Sequence, residues 1–399
     1  MSAPQVDLLI TNIGELLTCA PAASDLVGAI SDYAVAIDEG EIVALGRADE
    51  ITVAAKRTVD AGGKVVMPGF VDCHTHVIFG GSRVDEYSAK LTGADLAPLK
   101  ARGAPVGITG TMRETTALAV EQLAEETLPR LREMLAHGTT TVESKSGYAL
   151  TVEGELRMLE ANRLLAQAQP AEIISTFLGA HALPGDRTRE HYVAEIIEEM
   201  IPEVAERKLA VFCDAYCEEG YFRLAETEQI LRAGHDAGLL LKLHLDQYSH
   251  TGAAGFAAEI GCISVDHLNY TTPEEVTLLA DAGVVGVPLP GLDFAVGHTR
   301  PVDGRALVDG GLEIALATDI CPGCWLPSMQ LAIALAGRLA KLSPAKAIRA
   351  ATIGAAKAVG MAERIGSIET GKQADLLLLD TNRHEDLVYK LGHNAVEGV

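Results

Sequence analysis

The central part of the chain alternates between short apolar segments and longer segments with helical periodicity, starting near residue 66. We interpret the apolar segments as strands and the intervening ones, such as 121–137, 153–168 and 226–237, as helices. Strands separated by helices form parallel sheets, and eight of them predict a (β/α)8 TIM-like barrel. The strand candidates are 64–70, 139–144, 173–178, 210–215, 239–244, 263–266, 283–288 and 313–318.

The two ends of the chain have a different character, with short extended runs and turns in place of helices. Residues 6–10, 33–37 and 41–45 are extended apolar runs, and the turn 366–371 precedes another at 374–379. Such runs, bounded by turns, are typical of β-strands. We expect both ends to form one small β-sandwich, into which the barrel is inserted. The predicted domains are 1–65 (N-terminal half of the sandwich), 66–365 (barrel) and 366–399 (C-terminal half).

The acidic charge balance limits the partners of the chain. Lys and Arg total 32 against 55 Asp and Glu, a formal net charge of −23. Nucleic acid and anionic membranes bind basic surfaces, so we expect neither as a partner. A small anionic substrate would need a local basic anchor. No run reaches the roughly 18 apolar residues of a membrane span, and the N-terminus does not resemble a secretory signal.

Cysteine usage points to a reducing compartment. The seven cysteines are scattered and odd in number, which predicts reduced thiols in a cytoplasmic protein. Cys321-Pro-Gly-Cys324 is formally a Cys-x-x-Cys motif. No second such pair lies at zinc-finger spacing, so a redox or structural zinc role is the weaker interpretation.

Two histidines follow the first predicted barrel strand in Met67-Pro-Gly-Phe-Val-Asp-Cys-His-Thr-His76. Residues two positions apart in an extended strand point to the same side. His74 and His76 therefore present two imidazoles to one space, an arrangement that suits a divalent metal.

Further polar residues follow the other predicted strands, at the end of the barrel where such folds hold their active groups. Buried polar groups need partners, so this pattern is hard to explain as core packing. The residues are Tyr148, His181, Asp214, His244, Asp246, Gln247, Asp266, His267 and Asp319.

Four of these side chains could form a metal site. His74, His76, His244 and Asp319 supply three imidazoles and one carboxylate, a set that suits zinc or iron. Alternatively, the carboxylate could lie close to the ion through a hydrogen bond to bound water. In either arrangement the metal lowers the pKa of water, and Asp319 is the natural general base.

These residues resemble the signature of the amidohydrolase superfamily, which has a His-x-His on the first strand, single histidines on the fifth and sixth, and an Asp on the eighth. The superfamily also flanks its barrel with a sandwich built from both termini. The closer resemblance is to members that hydrolyse the ring amide of 4-imidazolone-5-propanoate to N-formimino-L-glutamate in histidine degradation. It rests on the segments 68–76, 79–83, 145–148, 179–182, 242–244, 266–268, 288–291 and 317–319.

The resemblance implies a role for each matching residue. Metal positions are His74, His76, His244 and Asp319, holding one divalent or ferric ion per chain, zinc or iron. Substrate-binding positions are Arg83, Tyr148, His181, Gln247, Cys321, Gly323 and Cys324. Catalytic positions are Asp319, His267 and His181. Cys321 and Cys324 depart from the family, which usually has Asn and Ser or Thr there, and cysteine is a much weaker hydrogen-bonding group.

The chemistry of the implied reaction agrees with these residue types. Arg83 could bind the substrate's propionate with its planar fork. His267 would stabilise the tetrahedral oxyanion, and His181 would orient the ring or polarise its carbonyl. Asp319 would pass a proton to the leaving nitrogen. The resemblance further implies a homodimer, and a further sandwich strand after 394–399.

Three alternatives stay open at the level of sequence. A deaminase of a cyclic amidine could use the same site, but such enzymes usually have Glu at the position of Gln247. A metal-binding scaffold without activity would not need every site residue. A two-metal centre would need a carboxylated lysine on the third or fourth strand, and Lys145 lies in an earlier predicted loop, so we expect one metal.

Several polar residues receive structural interpretations. We expect Asp214 to be structural; an alternative to the catalytic role of His267 is an orienting pair with Asp266. Arg83 could simply pair with Asp85 or Glu86. The remaining histidines are interpreted as surface residues; they are His137, His191, His235, His250, His298, His384 and His393.

Overall fold

The computed structural model describes residues 5–23 and 25–399, with strands at both ends and alternating strands and helices between them. The strands of this part are β1 (Gln5–Thr11), β2 (Glu15–Leu17), β3 (Ala29–Ile30), β4 (Tyr33–Asp38), β5 (Glu41–Arg47), β6 (Ala54–Asp60), β7 (Val65–Pro68), β8 (Phe70–Asp72), β9 (Thr139–Lys145), β10 (Glu172–Ala180), β11 (Phe212–Cys217), β12 (Leu240–Leu245), β13 (Ser264–His267), β14 (Val285–Val287), β15 (Leu376–Leu379) and β16 (Val396–Gly398).

The helices lie mainly between the strands from β8 onward. They are Val84–Leu91, Ala97–Ala101, Gly107–Thr116, Val120–Ala136, Val152–Ala168, Arg189–Glu195, Ile201–Glu206, Leu224–Asp236, Ala254–Ile260, Pro273–Asp281, Pro290–Val296, Gly304–Asp309, Met329–Arg338, Pro344–Arg349, Ala355–Ala358 and Asp386–Tyr389, with π-helical turns at Ile196–Met200 and Ala350–Gly354. Within the described ranges, no helix is both long and apolar enough to cross a bilayer.

Two small sheets at the chain ends form the predicted β-sandwich. One has the strand order β5-β4-β1-β6, and the other has β16-β15-β7-β2-β3. The second sheet joins both ends of the chain, because β15 pairs antiparallel with β7 while β2 pairs parallel with it. Ile10, Leu16, Val35, Val66 and Ile368 are buried in a common core between the sheets. The sandwich expected from the two apolar chain ends is therefore confirmed.

The central strands form the predicted TIM-like barrel. Strands β8 to β14 form one parallel sheet in sequence order. The segment predicted as the eighth strand closes the barrel with few backbone hydrogen bonds of the regular β-ladder type. It forms one bridge from Ile314 to Gly286, and at its far end Asp319 N donates to His74 O at 3.1 Å. This segment also bonds through a side chain, because the Asp72 carboxylate accepts from Thr318 N at 3.0 Å and from Thr318 Oγ1 at 2.6 Å.

The run expected as one strand over 64–70 is two strands in different sheets. β7 belongs to the sandwich, while β8 begins the barrel and pairs with β9. Pro68 has no N–H for a continuing ladder. A Cβ on Gly69 would lie 2.2 Å from Thr140 Oγ1, so only glycine allows this approach. The chain therefore changes sheets at Pro68–Gly69, and the domain division at 65/66 stays a prediction.

The Asp72 carboxylate gives a test of how the barrel closes. We expect Asp72→Ala to lower the free energy of unfolding by about 1–3 kcal/mol, because two buried donors of Thr318 lose their acceptor. Urea unfolding followed by circular dichroism measures the change. Asp236→Ala is the control, since this side chain is 84% exposed and surface changes usually stay within about 0.5 kcal/mol. Equal stability of both variants would contradict the proposed closure.

Candidate active site

Five of the six residues predicted as metal or catalytic positions lie together at the carboxyl end of the barrel; the sixth, His181, is described below. His74 and His76 follow β8, His244 lies in β12, and His267 ends β13. Asp319 follows the irregular eighth segment. All five are buried. Residues separated by up to 245 positions in the chain thus surround one small space, because parallel strands bring their ends to one rim.

The imidazole nitrogens and the carboxylate face each other across this space. His74 Nε2 and His76 Nε2 each lie 3.7 Å from Asp319 Oδ1. His76 Nε2 and His244 Nε2 are 3.5 Å apart. The ring of His267 has centroid distances of 5.5 Å to His74 and 5.4 Å to His244, about the same as the 5.5 Å between His76 and His244. The four predicted metal positions, which we call the inner cluster, therefore share one space with His267.

Burial keeps the imidazoles of His74, His76 and His267 neutral. Loss of solvation lowers the pKa of His74, His76 and His267 well below the usual value, and neighbouring positive charge lowers it further. Burial raises the pKa of Asp319 well above its ordinary range. A neutral imidazole offers a lone pair, which is the form that binds metals. The cluster is thus preset to donate electron pairs.

The cluster fits a metal ion better than it fits hydrogen bonding among its own members. His74 Nε2 is fully buried and has no hydrogen-bond partner among the described residues. His76 and His244 point nitrogen atoms at each other at 3.5 Å. At this distance the two nitrogens form only a long hydrogen bond, for which one ring must carry the proton, whereas a cation between them would bind both lone pairs. Imidazole nitrogens and one carboxylate oxygen are suitable ligands for a divalent transition metal.

Two buried carboxylates hold the outer nitrogens of the predicted ligands. Asp266 Oδ2 is hydrogen-bonded to His74 Nδ1 at 2.7 Å, and Asp214 Oδ2 lies at the ion-pair distance of 3.0 Å from His244 Nδ1. A proton on His74 Nδ1 leaves its Nε2 free to bind metal, as is usual for ligand histidines. Asp214, expected to be structural, thus contacts a predicted ligand. Asp266 contacts His74, whereas the alternative interpretation paired it with His267.

Lys145 also lies elsewhere than expected. It is the last residue of β9 rather than part of a loop, and its side chain is fully buried. Its Nζ lies 2.8 Å from Glu143 Oε1, 2.7 Å from Asp214 Oδ2 and 3.6 Å from Asp266 Oδ2. Burial lowers the pKa of this lysine, but the three carboxylates outweigh burial and raise it. The ammonium form is therefore stabilised, which disfavours carboxylation of this lysine.

A cavity of about 450 Å³ opens onto the cluster and contains most of the predicted substrate positions. It is also lined by aromatic residues that the sequence interpretation missed: Tyr216, Tyr221 and Tyr248. The predicted residues on its wall are Arg83, Tyr148, His181, Gln247, Cys321 and Gly323. Cys324 lies outside this wall and faces an adjacent apolar cavity of about 580 Å³ with Trp325 and Leu326.

Arg83 is held in place by a carboxylate but keeps a free end. Its Nε and Nη2 donate to Glu86 at 2.7 and 2.8 Å, so the pairing considered from the sequence is present. Glu86 is fixed in turn by Lys90 Nζ at 2.6 Å and by Gly107 N at 2.7 Å. Arg83 lines both cavities. Nη1 is not used by Glu86 and remains available for an anionic ligand.

Two further predicted residues are fixed by hydrogen bonds at the cavity wall. His181 Nδ1 lies 3.0 Å from Gly147 O, and its ring stacks on His76 at a centroid distance of 4.7 Å. Burial lowers the pKa of His181 to about 3. Gln247 Oε1 accepts from Tyr216 OH at 2.7 Å. His181 is therefore neutral, with Nε2 as its acceptor nitrogen.

One of the histidines interpreted as a surface residue supports the cavity wall. His298 is 8% exposed, and its Nε2 lies 2.9 Å from Gln247 O. That interpretation was wrong because the contact joins segments 51 residues apart. No local pattern in the sequence signals such a contact.

The loop with two cysteines is a tight turn at the rim of the cavity. Cys321 N donates to Cys324 O at 2.9 Å, and Cys324 N donates to Cys321 O at 3.0 Å. All seven cysteines are free thiols. Burial raises the pKa of Cys321 to about 12. Cys321 therefore presents a neutral thiol, a weak hydrogen-bonding group, to the cavity.

Comparisons with known proteins agree with this arrangement. The sequence model of the amidohydrolase family matches residues 65–399. An imidazolonepropionase from Herpetosiphon aurantiacus is 43% identical, with 98% of this chain and 95% of that protein covered. Another from Geobacillus kaustophilus is 42% identical (94% and 90% covered), and a third from Haloarcula marismortui is 38% identical (99% and 94%).

Solved structures show the same fold at low sequence identity. A zinc-bound adenosine deaminase from Xanthomonas campestris superposes with a TM-score of 0.73 at 23% identity, covering 99% of this chain and 91% of that one. A triazine hydrolase from Arthrobacter aurescens gives a TM-score of 0.76 at 19% identity, covering 98% and 92%. These likenesses establish the architecture and leave the chemistry to the site residues.

Substitution of one predicted ligand tests the metal cluster. We expect His244→Ala to lose most of the bound zinc or iron, because an imidazole is removed from the inner cluster. Elemental analysis of purified protein measures metal per chain. His235→Ala is the matched control, since that histidine lies in the helix Leu224–Asp236 and its side chain is 63% exposed. Equal metal content in the two variants would contradict the assignment.

Proposed function

This chain belongs to the amidohydrolase family, and on that premise we propose that it hydrolyses the ring amide of 4-imidazolone-5-propanoate to N-formimino-L-glutamate in histidine degradation. One observation carries the proposal. The cluster of His74, His76, His244 and Asp319 opens into the same cavity as the guanidinium of Arg83. The residues proposed to activate water and the cation proposed to bind an anion thus line one cavity. A substrate that is a cyclic amide with a carboxylate tail requires both.

We propose that His74, His76, His244 and Asp319 hold one zinc or iron ion per chain. When bound, the metal supplies a Lewis acid and lowers the pKa of water to near neutrality. The four side chains come from three strand ends, and two of them are fixed from behind by Asp214 and Asp266. A preset donor arrangement of this kind reduces the cost of ordering ligands on binding.

Asp319 is the residue that moves the proton. Its Oδ1 lies 3.7 Å from His74 Nε2 and from His76 Nε2, which places the carboxylate beside the position of the attacking water. Asp319 accepts the proton from the attacking water and delivers it to the ring nitrogen that leaves. The left-handed backbone at this residue, with φ of 52°, turns the carboxylate into the cluster.

His267 acts on the substrate carbonyl, and His181 acts on the substrate ring. Both are neutral because of burial. A neutral imidazole with a protonated nitrogen can donate to an oxyanion without bringing a full charge. We propose that His267 stabilises the tetrahedral oxyanion, while His181, fixed through Gly147 O, orients the ring.

Arg83 recognises the propionate. The chain has a formal net charge of −23, so an anionic substrate needs a local cation. Glu86 holds the Arg83 fork, and Nη1 faces the loop that contains Gly323, at 3.7 Å from the position of a Cβ on that glycine. A substrate carboxylate would lie between Nη1 and the loop. The rest of the pocket is lined by Tyr148, Gln247, Cys321 and Gly323. A substrate contact for Cys324 stays a prediction. The homodimer and the cytoplasmic location also stay predictions.

Turnover of the cyclic amide tests the function directly. We expect purified, metal-loaded protein to accelerate the loss of ring absorbance of 4-imidazolone-5-propanoate, with formation of N-formimino-L-glutamate. Ammonia is assayed in parallel, because a deaminase of a cyclic amidine would release it. No acceleration above the spontaneous rate would reject the substrate. Gln247 at the position of the usual proton-shuttling Glu disfavours the deaminase.

The anion anchor is tested by removing its charge. We expect Arg83→Met to lower kcat/KM by about 10- to 100-fold, because a charge-assisted hydrogen bond to the propionate is worth about 1.5–3 kcal/mol. Steady-state kinetics on the same substrate measures the loss. Arg102→Met is the control, since Arg102 is 62% exposed and pairs only with exposed Asp85. An unchanged kcat/KM for Arg83→Met would show that a different residue binds the propionate.

A further inference from the structure

Lys145 is a fully buried charge that the proposed reaction does not use. Its side chain has no exposed area, and it lies beneath the metal cluster rather than in the substrate cavity. Burial of an ammonium ion is costly unless several partners compensate it. The contacts of this lysine therefore need an explanation.

The partners of Lys145 are the carboxylates that hold the predicted ligands. Its Nζ lies 2.7 Å from Asp214 Oδ2 and 3.6 Å from Asp266 Oδ2. Those same two oxygen atoms lie 3.0 Å from His244 Nδ1 and 2.7 Å from His74 Nδ1. One ammonium group thus connects two carboxylate–histidine pairs that come from different strands.

A second buried lysine lacks this arrangement. Lys242 is equally buried, and its Nζ donates to Cys73 O at 2.7 Å and lies 3.2 Å from Glu143 Oε1. Both lysines share Glu143, since Lys145 Nζ lies 2.8 Å from the same oxygen. Among the salt bridges of the described residues, Lys145 alone contacts both Asp214 and Asp266. Lys242 holds the backbone beside His74, so a better control is Lys372, which is 11% exposed and contacts Glu369, Ser367 and Ala362 outside the site.

The charge of Lys145 determines where the two carboxylates lie. Asp214 and Asp266 are fully buried on β11 and β13, the strands on either side of β12. Like charges in a low dielectric repel each other. Removing the ammonium would leave two carboxylates free to separate or to turn away from the imidazoles.

We propose that Lys145 is a positioning residue which, through Asp214 and Asp266, aligns His244 and His74 and thereby sets the affinity of the site for its metal. The inference rests on the metal site of the proposed function. It differs from a purely structural role in a measurable way. A structural ion pair stabilises the metal-free and metal-bound protein equally, whereas a positioning residue changes the part of the stability that metal adds.

The test compares Lys145→Met with Lys372→Met in the full chain. The dissociation constant for Zn²⁺ is measured by competition with a chromophoric chelator, and thermal unfolding is recorded with and without Zn²⁺. We expect the constant to rise about 10- to 100-fold for Lys145→Met and to stay within about threefold for Lys372→Met. The rise in unfolding temperature on adding Zn²⁺ should shrink only in Lys145→Met.

The outcomes separate this inference from the proposed function. An unchanged dissociation constant for Lys145→Met, or an equal loss in both variants, would overturn the positioning role while the unsubstituted protein still binds zinc and turns over substrate. Failure of the unsubstituted protein to bind zinc or iron would overturn the proposed function itself.

A second set of variants covers the case in which Lys145→Met does not fold. Asp214→Asn and Asp266→Asn keep side-chain size and are measured singly and together. If one ammonium couples them, the loss of Zn²⁺ affinity in the double variant departs from the product of the single losses by more than about threefold. Losses that multiply would overturn the inference.

Discussion

The central constraint on this molecule is the cost of placing ionisable groups where water cannot reach them. The mouth of the barrel contains buried histidines, carboxylates and two lysines. None of these groups could be buried alone without a large penalty. They are compensated in pairs: Asp266 with His74, Asp214 with His244, and Lys145 with both carboxylates. This pairing leaves the nitrogens that face the inner cluster without a partner, and those are the atoms that we propose bind the metal.

Backbone strain accompanies this compensation. Asp246, His267, Leu268 and Asp319 have left-handed φ angles of 55°, 81°, 66° and 52°. Such angles are unfavourable for residues other than glycine, at about 1–3 kcal/mol each. All four lie at strand ends around the cluster. Three hydrogen bonds hold the Asp246 carboxylate, from Thr251 N, Thr251 Oγ1 and Thr271 Oγ1. The barrel thus supports unfavourable backbone where it aims side chains inward.

Local pattern predicted the architecture and the inner cluster, but not the contacts behind it. His74 and His76 are found from their spacing, and Asp319 from its place after an apolar segment. Asp214 and Lys145 were misread because their partners lie on other strands; Lys145 contacts Asp214 and Asp266, 69 and 121 residues away. The register between parallel strands decides such contacts, and single-strand periodicity carries no information about it. His298 was misread for the same reason, since its partner is a backbone oxygen.

The joining of both chain ends in one sheet has a consequence for synthesis. β7 pairs with β15, whose residues Leu376–Leu379 leave the ribosome more than 300 positions after Val65–Pro68. Until then β7 has an open edge, and open edges invite pairing with other chains. Contacts so distant in sequence also form slowly. The nascent chain therefore has an unpaired strand edge, prone to aggregation, during most of its translation. Chaperones would protect this edge most before the last strands emerge.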